Sequence, residues 1–128
     1  MSIKFFLPVF TIAAIISQST SAVITMYPTM HCNIGNWCYS LTLLEKDLIS
    51  DDILQTDSKK CTNKDVTTTS ISGTVTDDGW LDHVVEIAVS INHNCTSNGK
   101  YTKYETDEYK FDLDDDSKKS AEFLATFP

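Results

Sequence analysis

From Trp37 to Leu43 the chain alternates large apolar side chains (Trp37, Tyr39, Leu41, Leu43) with Cys38, Ser40 and Thr42. Residues two apart in an extended chain point to the same side, so this period predicts a strand with one buried face. The pattern is stronger over Val85 to His93, where Val85, Ile87, Val89 and Ile91 share one face. Glu86, Ser90 and Asn92 lie on the other face, which is expected to meet water. Val66 to Val75 is rich in β-branched residues suited to a pleated backbone, and Gly73 within it predicts a bulge or turn. Shorter strands are expected over Val23 to Tyr27, Tyr101 to Glu105, Tyr109 to Leu113 and Phe123 to Phe127. Asp77-Asp78-Gly79 and Asn98-Gly99 punctuate these runs as turns. About seven short strands so separated predict an all-β fold, an antiparallel β-sandwich. Asp47 to Leu54 departs from the pattern. There Leu48, Ile49, Ile53 and Leu54 fall at helix-like spacing, which leaves open a short helical turn or an acidic loop.

The first residues bear on compartment. Lys4 precedes a twelve-residue apolar run, Phe5 to Ile16, and Thr20 and Ala22 are small residues at −3 and −1 of a cut before Val23. This is the pattern of a secretory signal peptide over residues 1–22, leaving 23–128 as one domain of 106 residues. A bilayer span needs roughly 20 apolar residues and Pro8 interrupts this shorter run, so the mature chain is expected to be secreted, extracellular and not membrane-embedded. A domain of this size buries only a thin core, and covalent staples would help it. Four cysteines, Cys32, Cys38, Cys61 and Cys95, predict two disulfides in an oxidising compartment, with three connectivities open.

Charge then removes some partners. Ten lysines face eighteen acids for a net charge of −8, and there is no arginine; without Lys4 the balance is nine against eighteen, or −9. Nucleic-acid binders carry a basic patch, often with bidentate arginines, so no nucleic-acid partner is expected.

The order of motifs resembles the nematode transthyretin-like family of secreted proteins. Leu41-Thr42-Leu43-Leu44-Glu45-Lys46-Asp47, then Asp51-Asp52-Ile53-Leu54 and Thr56-Asp57, look like that family's strand, acidic turn and Thr-Asp step. Ser72-Gly73, Val89 to Ile91, His93-Asn94-Cys95 and Tyr109-Lys110-Phe111-Asp112-Leu113 are similar to its later pieces. Ser58-Lys59-Lys60-Cys61 and a further insertion follow the Thr-Asp step, and the early Gly-Lys-Pro-like turn is missing, so the resemblance is to a divergent member. It implies a transthyretin-like sandwich that binds lipids, receptors or other proteins outside the cell. It carries no ligand site with it. A hydrolase on the same fold requires an arginine that this chain does not have.

No set of catalytic residues is expected. The histidines are His31, His83 and His93, and no nucleophile-elbow signature accompanies any serine. His83 and His93 stand ten residues apart, too far along a straight strand at roughly 3.3 Å per residue to share a metal. Two acidic clusters, Asp47, Asp51, Asp52 and Asp57, and Asp112, Asp114, Asp115 and Asp116, have the oxygens calcium wants but not the spacing of an EF-hand loop. They are read as solvated runs, and neither a metal nor a cofactor is expected. Asn94-Cys95-Thr96 is a glycosylation sequon at Asn94. Trp37 belongs to a buried strand face, whereas Trp80, beside the Asp77-Asp78-Gly79 turn, is a candidate partner contact. The expectation is therefore a secreted, non-enzymatic binding module for an extracellular lipid or cell-surface protein. The alternative is a secreted effector or inhibitor that presents a disulfide-braced loop, such as Cys32 to Cys38, to a target protein. A Cys32–Cys38 bridge would favour the alternative, and bridges between strands the sandwich module.

Overall fold

Ten strand segments make up the computed structural model, which describes residues 20–77, 84–113 and 118–127, with no helix among them. They are β1 (Thr20–His31), β2 (Trp37–Glu45), β3 (Asp52–Thr56), β4 (Lys60–Thr62), β5 (Val66–Thr68), β6 (Ile71–Asp77), β7 (Val84–His93), β8 (Thr102–Glu105), β9 (Tyr109–Asp112) and β10 (Lys118–Thr126). In one sheet β1 is central, with β10 on one side and β5 and β6 end to end on the other. In the second, β2 and β7 pair at the centre; β3 and β4 flank β2, and β8 and β9 flank β7. The ten segments therefore fill seven strand positions of a two-layered sandwich.

Seven of the eight pairings are antiparallel. The exception joins the two ends of the described chain: β1 and β10 run parallel from Val23↔Lys118 to His31↔Thr126. A tight hairpin cannot make a parallel pair, and here nearly the whole sandwich serves as the crossover.

The core lies between the two sheets. Ile24, Met26 and Met30 of β1 and Ile71 and Val75 of β6 face Trp37, Tyr39, Leu41 and Leu43 of β2 and Val85, Ile87, Val89 and Ile91 of β7. These are the alternate positions of each strand, so the period-two pattern becomes the two inner faces of the sandwich.

Several local expectations are corrected. Gly73 neither bends nor ends its strand, for it pairs with Ile24 in the middle of β6, and the break falls at Thr69 and Ser70. What requires glycine at 73 is close approach across the core: a Cβ there would stand 2.9 Å from the Cβ of Leu54 and 3.1 Å from Cδ2 of Leu43. The irregularity lies instead between β2 and β3, where Leu43 pairs with Gln55 and Leu44 with Ile53. Leu54 is the extra residue, and this bulge turns it toward the core. Of the two readings left open for Asp47 to Leu54, the acidic loop holds and the helical turn does not, the loop being followed by the start of β3. The outer face of β7 is not uniformly wet, because Ala88 and Ser90 are buried. Both are short side chains whose partners across the ladder, Leu44 and Thr42, overshadow them. Finally, β1 begins at Thr20, so Thr20, Ser21 and Ala22 pair with Asp77, Thr76 and Val75.

Candidate functional site

The cysteines pair as Cys32–Cys95 and Cys38–Cys61. Cys32 directly follows β1 and Cys95 lies two residues beyond β7, so the first bridge ties the two sheets together inside the core, with both residues buried. The second joins directly opposed residues of β2 and β4, and Cys61 is exposed. Their sequence separations of 63 and 23 residues correspond to about 4 and about 3 kcal/mol of lost unfolded-chain entropy. The segment from Cys32 to Cys38 is not closed upon itself, and no cysteine is free.

The bridged end of the sandwich is filled by aromatic rings. Trp37 packs against Tyr39 at 5.1 Å and edge-on to Phe127 at 5.7 Å, and Tyr104 also meets Phe127 at 5.7 Å. Trp37 is a core residue as its strand parity predicted, although its indole N–H finds no hydrogen-bond partner among the described residues. His93, only 2% exposed, accepts the backbone N–H of Cys95 on Nδ1 at 3.1 Å. That places the proton of the neutral ring on Nε2, and burial lowers the imidazole pKa. The histidine thus acts as a packing and hydrogen-bonding residue at the strand end. Burial likewise raises the phenols of Tyr39 and Tyr109, with the charges of Asp57 and Asp107 adding to it.

The sequon is built into the same region. Asn94 Oδ1 accepts the Cys38 backbone N–H at 2.7 Å, and Thr96 Oγ1 donates to the Lys100 carbonyl at 2.8 Å. An open concavity of about 510 Å³ lies over the Cys38–Cys61 bridge, between Asn36, Asn63 and Asn94. Its lining mixes the amides of the three asparagines and the Thr62 hydroxyl with the Trp37 ring and the disulfide, and carries no charged side chain.

The opposite feature is the loop between β2 and β3. Its base is clamped: Lys46 Nζ donates to Asp51 Oδ2 at 2.8 Å and to Glu105 Oε2 at 3.1 Å. The Lys46 backbone N–H donates to the Glu86 carbonyl at 2.7 Å. Asp51 and Glu105 raise the lysine pKa, and the ammonium in turn holds the Asp51 carboxyl below its usual range. Asp47 accepts the Leu48 backbone N–H at 2.6 Å and shapes the turn. At the tip, Leu48 and Ile49 are 102% and 95% exposed, and Ile53 at the start of β3 is 67% exposed. Burying a leucine or isoleucine is worth about 1.5–3 kcal/mol, and these two adjacent side chains forgo all of it. Their helix-like spacing in the sequence left a helical turn or an acidic loop open; the loop is what turns them outward.

Among the described residues no three His, Cys, Asp or Glu side chains come together as a metal-holding group, and no helix is long and apolar enough to cross a membrane. Trp80, His83 and Asp114, Asp115 and Asp116 lie outside the described residues, as does the segment before Thr20.

Fold and site together define a disulfide-bridged β-sandwich of the kind typical of extracellular proteins, with a buried core and an exposed apolar tip on the β2–β3 loop. Residues 28–126 match the model of the family described as Caenorhabditis elegans protein of unknown function (DUF870), and the chain belongs to that family. The match runs from within β1 to the end of β10 and takes in both disulfides. No curated protein and no solved structure matches the chain.

Proposed function

We propose that this chain is a secreted, non-enzymatic binding module that recognises an extracellular protein or lipid through the β2–β3 loop. The observation that carries this reading is the tip itself: Leu48 and Ile49 stand fully in water on a loop anchored by the Lys46 clamp. Single exposed apolar residues are ordinary, whereas contiguous exposed apolar surface marks interaction sites, and two adjacent side chains on a held loop supply such surface. Secretion is part of the proposal and rests on the leader-like residues 1–22 and on the two disulfides. Kinship with the nematode transthyretin-like proteins is also part of it. Its motif pieces Leu41 to Asp47 and Asp51 to Leu54 bracket the exposed tip. The effector alternative draws no support from the Cys32–Cys38 segment, whose cysteines bond elsewhere.

The test uses the secreted full chain and its Leu48→Ser/Ile49→Ser double variant, each immobilised and exposed to extracellular fluid and to phosphatidylcholine vesicles. The wild type should retain a protein or lipid that the double variant does not. Equal retention by both, or none by either, would overturn the reading.

A further inference from the structure

Resting on that reading of the loop, we propose that Leu48 and Ile49 insert into an apolar socket on a partner protein whose rim carries lysine or arginine. Lipid bilayers are the wrong chemistry for this tip. Asp47 precedes the apolar pair, and Asp51 and Asp52 follow within three residues; all three are exposed. The one cation of the loop, Lys46, is engaged by Asp51 and Glu105, and Lys103 also acts on Asp51. Asp47 and Asp52 form no ion pair among the described residues.

These charges decide between occupants. Elements that lie in a membrane interface pair their apolar side chains with Lys and Arg, which anionic headgroups attract. This tip is ringed with the opposite sign, on a chain of net charge −8. Insertion into an anionic leaflet would be repelled, and insertion into a neutral one would strip water from carboxylates without giving them partners. An apolar protein pocket with a cationic rim supplies burial for the two aliphatic side chains and charge for the carboxylates, the usual division between interface core and rim.

A photoreactive diazirine analogue of leucine in place of Leu48, carried by the full disulfide-bonded chain, tests this directly. The chain is irradiated with extracellular fluid, and in parallel with vesicles of phosphatidylcholine alone and of phosphatidylcholine mixed with phosphatidylserine. The expected result is a cross-link to a protein segment rich in Lys or Arg, and none to either vesicle. Asp47→Lys/Asp52→Lys should lower capture about tenfold at low salt, and high salt should lower wild-type capture in the same direction. Cross-linking to lipid would overturn the protein socket while leaving a binding module in place. Capture insensitive to charge reversal would overturn the cationic rim. Leu48→Ser/Ile49→Ser capturing as well as the wild type would overturn both this inference and the function on which it rests. Asp52→Lys alone, which leaves the Asp47 contact that shapes the turn intact, should lower capture in the same direction, and an unchanged melting temperature in each variant separates lost binding from lost fold.

Discussion

His93 stacks on Phe127 with ring centroids 3.8 Å apart and planes tilted by 20°. The contact joins the end of β7 to the residue just after β10, and so braces the two sheets beside the buried Cys32–Cys95 bridge. Its stability depends on the ring being neutral, because burial lowers the imidazole pKa in the folded state. The unfolded chain takes up a proton near pH 6.5 while the folded chain resists it. Stability should therefore be flat above about pH 6.5 and fall as pH drops below it, by at most about 1.4 kcal/mol per unit from this group. Urea unfolding at several pH values checks this, with His93→Phe expected to flatten the slope. An unchanged slope in that variant would assign the acid sensitivity elsewhere.

Gly73 should not tolerate even a methyl group. The Cβ of an alanine would meet the Cβ of Leu54, an atom that cannot swing away as the end of a long side chain would. Overpacking of this kind costs about 1–3 kcal/mol, against which alanine recovers a few tenths to about 1 kcal/mol of backbone entropy. Gly73→Ala should lower the urea midpoint without changing the m-value. A variant as stable as the wild type would show that the two sheets are free to move apart at this point.

The two disulfides should differ in accessibility. Cys61 is exposed and Cys38 half-buried, whereas Cys32 and Cys95 are enclosed by the core. Reductant must reach a sulfur to attack it, so mild reduction followed by alkylation should label Cys38 and Cys61 first. Cys32 and Cys95 should react only when the sandwich opens. Peptide mapping by mass spectrometry reads the order, and labelling of the inner pair first would contradict it.

Where the proposed leader is cut should affect stability. A cut before Val23, as Thr20 and Ala22 at −3 and −1 predict, would leave β1 without its first three rungs. One of the residues removed is Ala22, 2% exposed and paired with the buried Val75. A chain starting at Thr20 should therefore be more stable than one starting at Val23, by about 1–2 kcal/mol. Thermal unfolding of the two chains measures the difference, and the mass of the secreted protein shows which start is used. Equal melting temperatures would mean that those rungs do not hold the sheet.

Much of the fold was legible because its signal is local. Alternation at Trp37 to Leu43 and Val85 to Ile91 follows from extended backbone alone, and these residues are buried as that pattern requires. The fold class, the presence of two disulfides and the core role of Trp37 follow from the same kind of reading. The candidate site was not legible: Leu48 and Ile49 were noted only for a helix-like spacing, which does not reveal which way a loop points, and the candidate partner contact, Trp80, lies outside the described residues.

The amino-acid sequence by itself determined most of the strands, though not β3 and β4, and which side of β2 and β7 faces inward, since side-chain alternation is a property of neighbouring residues. Only the tertiary structure decided what lies opposite what. The parallel pairing of β1 with β10, the Cys32–Cys95 and Cys38–Cys61 partners, the bulge at Leu54 that makes Gly73 necessary, and the outward turn of Leu48 and Ile49 all depend on contacts between distant parts of the chain. Distant contacts leave no periodic trace in one sequence, because their geometry is set by how two sheets close on a shared core.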